Sequence, residues 1–273
     1  MKNFLTSVIC STYNDPKYLE MVLDSLLYQT DLNFELLIAD DGSGQETKII
    51  VDNFKTKAPF NVIHVWHEDM GWRKSKIHNE AIRQSSGEHL IFMDGDCILG
   101  NNFVADHRLV FEQNLNNYVL MGRRVELSRK ISSTLTLENY HQKLSLCSLK
   151  YLFSIISGET HGGLRCLSIY NKFFRMALSA NSVKDLLGAN YSLPRKKMYE
   201  INGFNEDTDS LGVTEDGDIF VRLRNTGTLL LGMKYFAPMF HKYHGRDSRV
   251  ASEKYYQEIL KDLNYIYSKN GLK

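Results

Sequence analysis

The feature that most constrains the fold is an alternation of short apolar runs with segments of helical periodicity. The predicted strands cover residues 4–10, 34–39, 62–66 and 90–93. The predicted helices cover residues 16–27, 48–54 and 75–83. Asp15 suits the N-cap of the first helix, and Pro16 suits its first position. This order predicts an α/β fold with a mostly parallel central sheet, helices on both faces and ligands at the carboxyl ends of the strands.

The pattern is less regular after this region. An apolar helical stretch over residues 144–156 predicts a packed helix, and contact with a membrane surface or a lipid-linked acceptor is the alternative. The other elements predicted here are a strand at residues 118–121, a helix at 216–224 that Gly227 closes, a strand at 229–233 and an amphipathic helix at 252–267.

The near-neutral charge narrows the classes of ligand. The chain has 33 Lys and Arg against 32 Asp and Glu, a formal net charge of +1. Proteins that coat nucleic acid or an anionic bilayer depend on summed positive charge, so an anionic ligand must be held here by a few placed groups. The four cysteines form no CxxC pair, and no run approaches the roughly 18 apolar residues of a membrane span. We therefore expect a cytoplasmic protein with reduced thiols.

Acidic residues follow two of the predicted strands. Asp40 and Asp41 come after the second strand, and Asp94-Gly95-Asp96 comes after the fourth. Residues i and i+2 of an extended segment point to one side, so Asp94 and Asp96 could converge on one cation, with Gly95 giving a ligand access to the backbone. Carboxylate oxygens suit Mg²⁺ or Mn²⁺ bound to phosphates. Turn chemistry alone also produces such sequences.

The first strand–helix turn excludes two common ways of holding phosphate. Residues 11–15 contain no glycine, whereas the dinucleotide-binding fingerprint and the P-loop both need glycine for close backbone approach to phosphate. A nucleotide bound here would use an aromatic ring, a carboxylate for the base and a cation for the phosphates. The candidates for these roles are Tyr13, Asp41 and Asp96.

Two further groups of polar residues lie near the end of the chain. Glu215, Asp216 and Asp218 open a predicted helix, where carboxylates in the first turn also serve simple capping. For Asp218 we keep the capping interpretation. His241 and His244 follow the last predicted strand and are candidate metal ligands, although paired histidines at this spacing also occur without a metal.

Together and in this order, these motifs resemble the inverting family 2 glycosyltransferases of the GT-A fold. The matching stretches are residues 7–14, 40–43, 71–97 (GWRKSKIHNEAIRQSSGEHLIFMDGDC), 188–223 (beginning GANYSLPRKK) and 241–247 (HKYHGRD). The second half is similar to the carboxyl-terminal segment of bacterial chondroitin-polymerase-type transferases and animal β-1,4-galactosyltransferases. The likeness implies one GT-A domain with a nucleotide-binding half (1–122), a helical acceptor-side insertion (123–187) and a galactosyltransferase-like catalytic segment (188–273).

The resemblance also implies roles for individual side chains. Those that would bind the nucleotide sugar are Ser11, Tyr13, Asp41, Arg73, Asp94 and Asn190. Those that would ligate the metal are Asp96, His241 and His244. Asp216 matches the general base of the family, and Glu215 would orient the donor or the acceptor. Within the donor site, Asp41 would hydrogen-bond uracil and Asp94 would contact the ribose or the sugar. Arg73 would face the nucleotide or its diphosphate, or be an exposed cation at a helix start.

Three positions depart from the family pattern. His241 stands where the galactosyltransferases place a methionine ligand. Gly217 replaces the acidic residue that usually follows the base, and residues 211–214 lack the tryptophan and paired glycines of the family. The last two departures lie where donor sugar and acceptor meet, so the resemblance leaves the identity of both open.

The implied function is inverting transfer of a hexose or N-acetylhexosamine, of galactose type, from a UDP-sugar to a hydroxyl group of a glycan or lipid-linked glycan. Mn²⁺ or Mg²⁺ would be the cofactor. The setting would be bacterial surface polysaccharide or lipopolysaccharide assembly at the cytoplasmic face of the inner membrane, without nucleic acid as a partner. Two alternatives stay open: a sugar-phosphate nucleotidyltransferase, which normally has a glycine-rich amino-terminal loop, and a non-catalytic module that binds a glycan or a nucleotide.

Overall fold

A seven-stranded sheet forms the centre of the protein. The residues described in this computed structural model are 4–112, 117–146, 148–163, 187–211, 215–233, 235–245 and 250–273. The strands are β1 (Thr6–Thr12), β2 (Phe34–Asp40), β3 (Val62–Trp66), β4 (His89–Asp94), β5 (Cys97–Leu99), β6 (Tyr118–Met121), β7 (Val125–Glu126), β8 (Asn190–Pro194), β9 (Leu229–Gly232) and β10 (Met239–His241). The helices are α1 (Pro16–Leu27), α2 (Gln45–Lys55), α3 (Lys74–Gln84), α4 (Phe103–Phe111), α5 (Arg129–Ser132), α6 (Tyr140–Lys143), α7 (Leu149–Ile156), α8 (Arg195–Glu200), α9 (Asp207–Leu211), α10 (Glu215–Asn225) and α11 (Val250–Ile259).

The strand order of the central sheet is β3-β2-β1-β4-β8-β6-β9. Neighbouring strands pair in parallel except at β8, which runs antiparallel to β4 and β6. Helices α1, α2 and α4 contribute to the core on one face, and α3, α8 and α10 to the core on the other. In β1, Val8 and Cys10 face the first core and Ile9 faces the second, which is why the strand is a continuous apolar run. The predicted α/β class, with a mostly parallel sheet and helices on both faces, is confirmed.

The start of α1 differs in detail from the prediction. β1 runs from Thr6 to Thr12 rather than over residues 4–10, because its pairing with β2 continues to the end of both strands. Pro16 occupies the first turn of α1 as expected. Asp15 precedes it without making a side-chain cap hydrogen bond, because its carboxylate pairs with Lys242 instead.

The predicted apolar helix of the insertion is only partly packed. α7 begins at Leu149, because Ser148 accepts a hydrogen bond from the backbone N–H of Tyr151 and caps the helix there. Leu149, Phe153 and Ile156 are 82%, 67% and 82% exposed, so one apolar side of α7 lies at the surface. No helix in the described part of the chain is long and apolar enough to cross a membrane.

The predicted carboxyl-terminal helix, residues 252–267, is too long. α11 ends at Ile259, and Asp262 accepts a hydrogen bond from the backbone N–H of Asn264, a local turn that competes with the helix. The side chain of Asn225 donates a hydrogen bond to the carbonyl group of Asp262, which fixes this turn against the end of α10.

Strands β5, β7, β8 and β10 are not predicted from the sequence. β8 joins the central sheet, whereas the other three form a second sheet of order β5-β10-β7. In this second sheet His241 pairs with Cys97 on one side and with Glu126 on the other. The second sheet therefore places the residue that follows Asp96 beside the first histidine of the predicted pair.

Candidate active site

An open crevice of about 560 Å³ lies at the carboxyl ends of the parallel strands. Its walls come from the ends of β1, β4 and β10, from the segment after β2 and from the start of α10. The predicted site residues that line it are Ser11, Tyr13, Asp41, Asp94, Asp96, Glu215, Asp216, His241 and His244. The fold brings these distant residues together because parallel strands all end at one edge of the sheet.

Asp94, at the end of β4, belongs to a row of paired charges. Lys74 Nζ lies 2.9 Å from Asp94 Oδ1 and 2.8 Å from Glu215 Oε1. Ser11 Oγ donates a further hydrogen bond to Asp94, at 2.8 Å. Burial alone would lower the pKa of Lys74, but the two carboxylates outweigh it and raise that pKa well above its ordinary value. Burial would raise the pKa values of Asp94 and Glu215, and Lys74 lowers both. The row therefore consists of charged groups.

The position of Lys74 is fixed by a cap from a distant segment. Asp209 of α9 accepts hydrogen bonds from the backbone N–H groups of Ser75 and Lys76, at 3.0 and 3.2 Å. These are donors of the first turn of α3 that have no partner within the helix. Asp209 is 134 residues away from Ser75 along the chain. The start of α3, and with it Lys74, is therefore held by the carboxyl-terminal half of the protein.

Asp96 faces two imidazoles instead of a lysine. Asp96 Oδ2 lies 3.2 Å from His241 Nε2 and 3.5 Å from His244 Nε2, and the two Nε2 atoms are 3.1 Å apart. Neighbouring ligand atoms at about 2.1 Å from one octahedral ion are about 3 Å apart, so this set fits a single divalent cation. Two imidazoles with one carboxylate suit Mn²⁺ better than Mg²⁺, which prefers oxygen ligands.

The Nδ1 atoms of both imidazoles, on the sides away from Asp96, also lie at hydrogen-bond distance from a partner. His241 Nδ1 lies 2.7 Å from Glu126 Oε2, and Arg124 Nε lies 2.6 Å from the other oxygen of Glu126. Burial would lower the pKa of His241, but the hydrogen bonds to Asp96 and Glu126 raise it to about 9. His244 Nδ1 lies 2.9 Å from the backbone carbonyl oxygen of the next residue. Both rings are therefore oriented with Nε2 toward Asp96.

Asp41, directly after β2, is held by two donors. Its Oδ1 lies 2.7 Å from His67 Nε2, and its Oδ2 accepts a hydrogen bond from the backbone N–H of Arg73 at 3.0 Å. An ionised carboxylate has about four acceptor positions, so Asp41 can also accept from the N–H of a nucleobase. Tyr13, half exposed beside it, donates its hydroxyl hydrogen to Asp69 at 3.0 Å, which orients the aromatic ring at the crevice.

Arg73 and Asn190 do not line the crevice. The guanidinium of Arg73 donates a hydrogen bond to the backbone carbonyl of Glu68. Asn190 is fully buried; its Oδ1 lies 3.0 Å from His107 Nε2, and its Nδ2 donates to two backbone carbonyl groups, one of them that of Arg123. Both side chains therefore form hydrogen bonds with protein groups outside the crevice lining.

Asp216 lies at the start of α10, and both of its carboxylate oxygens accept hydrogen bonds from backbone N–H groups. Its Oδ2 accepts from the N–H of Gly188 at 3.2 Å, and its Oδ1 from that of Gly217 at 2.9 Å. A Cβ at residue 188 would lie 3.2 Å from Asp216 Cβ, so glycine there permits the close approach. The capping role expected of Asp218 is wrong, because its carboxylate forms a buried ion pair with Arg222.

Several crevice residues are missing from the sequence-based prediction. They are Lys74, His67, Trp72 and Glu126, which line the crevice or contact residues that do. Lys74 follows Arg73 directly, and nothing in the pattern indicates which of two adjacent cations faces the crevice. Glu126 reaches His241 only through the pairing of β7 with β10. Residues 212–214 and 246–247, which the resemblance to the family also covers, lie outside the described residues.

Comparison with known proteins decides the family. The model of glycosyl transferase family 2 matches residues 7–178. The chain belongs to glycosyl transferase family 2. This family 2 chain is similar to the validoxylamine A glucosyltransferase of Streptomyces hygroscopicus subsp. jinggangensis, at 31% identity over 102 residues, 37% of this chain and 24% of that protein. It is also similar to the poly(ribitol-phosphate) beta-N-acetylglucosaminyltransferase TarS of Staphylococcus aureus, at 29% identity over 117 residues, 42% of this chain and 20% of that protein. The chain thus spans about a quarter or less of the length of these two relatives.

Solved structures show the same fold. The crystal structure of S. aureus TarS 1–349 in complex with UDP-GlcNAc superposes with a TM-score of 0.58 at 17% identity, covering 93% of this family 2 chain and 64% of that chain. The mannosyltransferase PcManGT from Pyrobaculum calidifontis, in complex with GDP-Man and Mn²⁺, gives a TM-score of 0.58 at 15% identity, covering 88% of this chain and 57% of that chain. These likenesses confirm the predicted GT-A fold.

Proposed function

We propose that this family 2 chain transfers a hexose or N-acetylhexosamine from a UDP-sugar to a hydroxyl group of a glycan, with inversion at the anomeric carbon. The main support for the proposal is the set of side chains that meet in one crevice. It holds a carboxylate for a nucleobase, a donor set for a divalent cation and a carboxylate pair at the start of a helix. Similar folds that bind UDP-GlcNAc, or GDP-Man with Mn²⁺, support a nucleotide-sugar donor.

The proposed donor site runs from Asp41 to Asp96. Asp41 accepts a hydrogen bond from the N–H of uracil, and the ring of Tyr13 lies against the base. Ser11 and Asp94 contact the ribose or the sugar. Asp96, with the two histidines, would hold Mn²⁺, which when bound would offset the charge of the diphosphate leaving group.

Asp216 is the proposed general base. Its carboxylate accepts the proton of the acceptor hydroxyl while that oxygen bonds to the anomeric carbon from the face opposite UDP. The bond from the anomeric carbon to the phosphate oxygen breaks, and the electron pair leaves with UDP. Aspartate is ordinarily ionised at neutral pH, so the requirement is hydrogen-bond reach to the hydroxyl. Glu215, held by Lys74, orients the donor or the acceptor.

The acceptor is proposed to be a lipid-linked glycan of bacterial surface polysaccharide assembly, presented at the cytoplasmic face of the membrane. The exposed apolar side chains Leu149, Phe153 and Ile156 of α7 support contact with a lipid-linked molecule. Cys10 and Cys97 are buried free thiols, as proteins of a reducing compartment normally have.

A panel of UDP-sugars with Mn²⁺, with and without glycan acceptors, tests this function by the release of UDP. The wild type is expected to turn over at least one donor. Asp216→Asn is expected to lower that rate by about 10²–10⁴-fold, the usual contribution of a general base, while its affinity for UDP stays within twofold. Asp52→Asn, a change in a surface ion pair of α2, is the matched control and should retain the wild-type rate.

Two results would contradict the proposal in different ways. Wild-type turnover in Asp216→Asn would exclude this residue as the base. Tight UDP binding without release of UDP from any donor would favour the non-catalytic module instead.

A further inference from the structure

We infer that Glu126 is a positioning residue that fixes the ring of His241 for metal binding. The inference rests on the proposed metal site and deepens it, because Glu126 lies outside the set formed by Asp96, His241 and His244. The main evidence is the distance of 2.7 Å between Glu126 Oε2 and His241 Nδ1, on the side of the ring away from Asp96.

The contact selects one tautomer of the ring. Nε2 can bind a cation only through its lone pair, so the ring hydrogen must then be on Nδ1. Glu126 Oε2 is an acceptor at hydrogen-bond distance from Nδ1, and it has no hydrogen to give when ionised. A carboxylate that accepts from the outer nitrogen of a metal-binding histidine holds the ring in place and increases the basicity of the ligand.

The backbone and a neighbouring cation fix Glu126 in turn. Glu126 ends β7, which pairs in parallel with β10 so that Glu126 is in register with His241. The backbone groups of Glu126 also exchange two hydrogen bonds with His161, at 2.9 and 3.0 Å. Arg124 Nε lies 2.6 Å from Glu126 Oε1, which leaves Oε2 directed at the ring.

The two histidines differ in how they are held. His244 Nδ1 lies 2.9 Å from a neutral backbone carbonyl and its side chain is 54% exposed. His241 is 7% exposed and has a charged partner at its outer nitrogen. Removing that partner leaves a buried ring with an unsatisfied N–H and freedom to rotate, so metal affinity should depend on Glu126.

The experiment measures the affinity for Mn²⁺ alone, from the electron paramagnetic resonance signal of the free ion titrated with protein. Glu126→Leu is expected to weaken Mn²⁺ binding by about 10–100-fold, the usual effect of losing such a partner. Glu126→Gln keeps an uncharged acceptor of the same shape and should recover part of the loss. Glu200→Gln removes the carboxylate of another ion pair, with Lys197 on α8, and should leave the affinity unchanged.

A second measurement reads the tautomer directly and does not depend on how well a variant binds metal. Nitrogen-15 spectra of the histidine side chains, with Zn²⁺ as a diamagnetic ion, are expected to show the hydrogen of His241 on Nδ1 in the wild type. A wild-type spectrum without that hydrogen would overturn the inference, because Nδ1 would then have no hydrogen to donate to Glu126.

The outcomes separate the inference from the proposed function. Asp96→Asn should lose Mn²⁺ binding if the metal site is as proposed. If it does and both Glu126 variants bind Mn²⁺ within twofold of the wild type, the positioning role is wrong and the site remains. If Asp96→Asn binds Mn²⁺ as the wild type does, the proposed metal site fails, and the role of Glu126 fails with it.

Discussion

Asp94 and Asp96 are separated by a single glycine, yet their surroundings differ. Asp94 contacts a lysine that it shares with Glu215, so this carboxylate already has a cationic partner within the protein. Asp96 contacts two imidazole nitrogens that can ligate the same cation. The difference supports separate roles for the two carboxylates of one short acidic motif: the first orders the crevice, and the second is the one proposed to bind the metal.

The histidines near each carboxylate show the same contrast. Burial, with the nearby charge of Lys74, lowers the pKa of His78 to about 3, so His78 is a neutral core side chain. His241, in contrast, has its Nε2 atom 3.2 Å from Asp96 Oδ2, beside the second imidazole of the set. The histidine near Asp94 is therefore a packing residue, whereas the histidine beside Asp96 is a candidate metal ligand.

The largest predicted effect is on stability, when Lys74→Met removes the lysine that pairs with Asp94 and Glu215. The change leaves Asp94 and Glu215 as unpaired carboxylates, and removing one partner of a buried pair costs about 3–5 kcal/mol. We expect a loss of about 3 kcal/mol, the lower end of that range, because Asp94 keeps 23% of its side chain exposed. Urea unfolding measures it. Lys76→Met, two positions along the same helix, is the control, and equal losses in both variants would show that Lys74 is an ordinary helix-start cation.

The second effect is on the pH dependence of stability, through His78; it is small at neutral pH and grows in acid. In the unfolded chain this side chain titrates near its ordinary pKa of about 6.5, and in the folded protein at about 3. Between these values the unfolded chain binds a proton that the folded protein does not. The free energy of unfolding therefore falls as the pH drops from about 6.5 to about 3.

His78→Phe should make that acid dependence shallower in urea unfolding at several pH values. Part of it should remain, because burial also lowers the pKa of His107 to about 3. Identical pH dependence in His78→Phe and the wild type would contradict the neutral state assigned to His78.

The sequence predicts the crevice better than it predicts the contacts inside it. Asp41, Asp94 and Asp96 could be placed together because each follows a strand of a parallel sheet, and the ends of such strands meet whatever the details of packing. The lysine beside Asp94 and the glutamate beside His241 could not be derived, because Lys74 and Glu126 reach these residues by tertiary contacts. Local periodicity contains no information on such contacts.

Dependence on tertiary contacts also explains why strands such as β8 were not predicted. β8 is the antiparallel strand between β4 and β6, and its role depends on partners distant in the chain. Gly95 lines the crevice, and a Cβ there would lie 2.9 Å from the carbonyl oxygen of Ser11, so the close approach of β1 is a further reason for glycine that the sequence does not show. The pairing of β8 and the packing of Gly95 both depend on residues that are distant in the sequence and are brought close only by the tertiary fold.

UDP titrations with and without Mn²⁺ test the division of work between the two carboxylates most directly. The ratio of the two UDP affinities should be large for the wild type and for Asp94→Asn, even where Asp94→Asn weakens both. Asp96→Asn should bind UDP equally with and without Mn²⁺. A large ratio retained in Asp96→Asn, or lost equally in both variants, would contradict the assignment of the metal to Asp96.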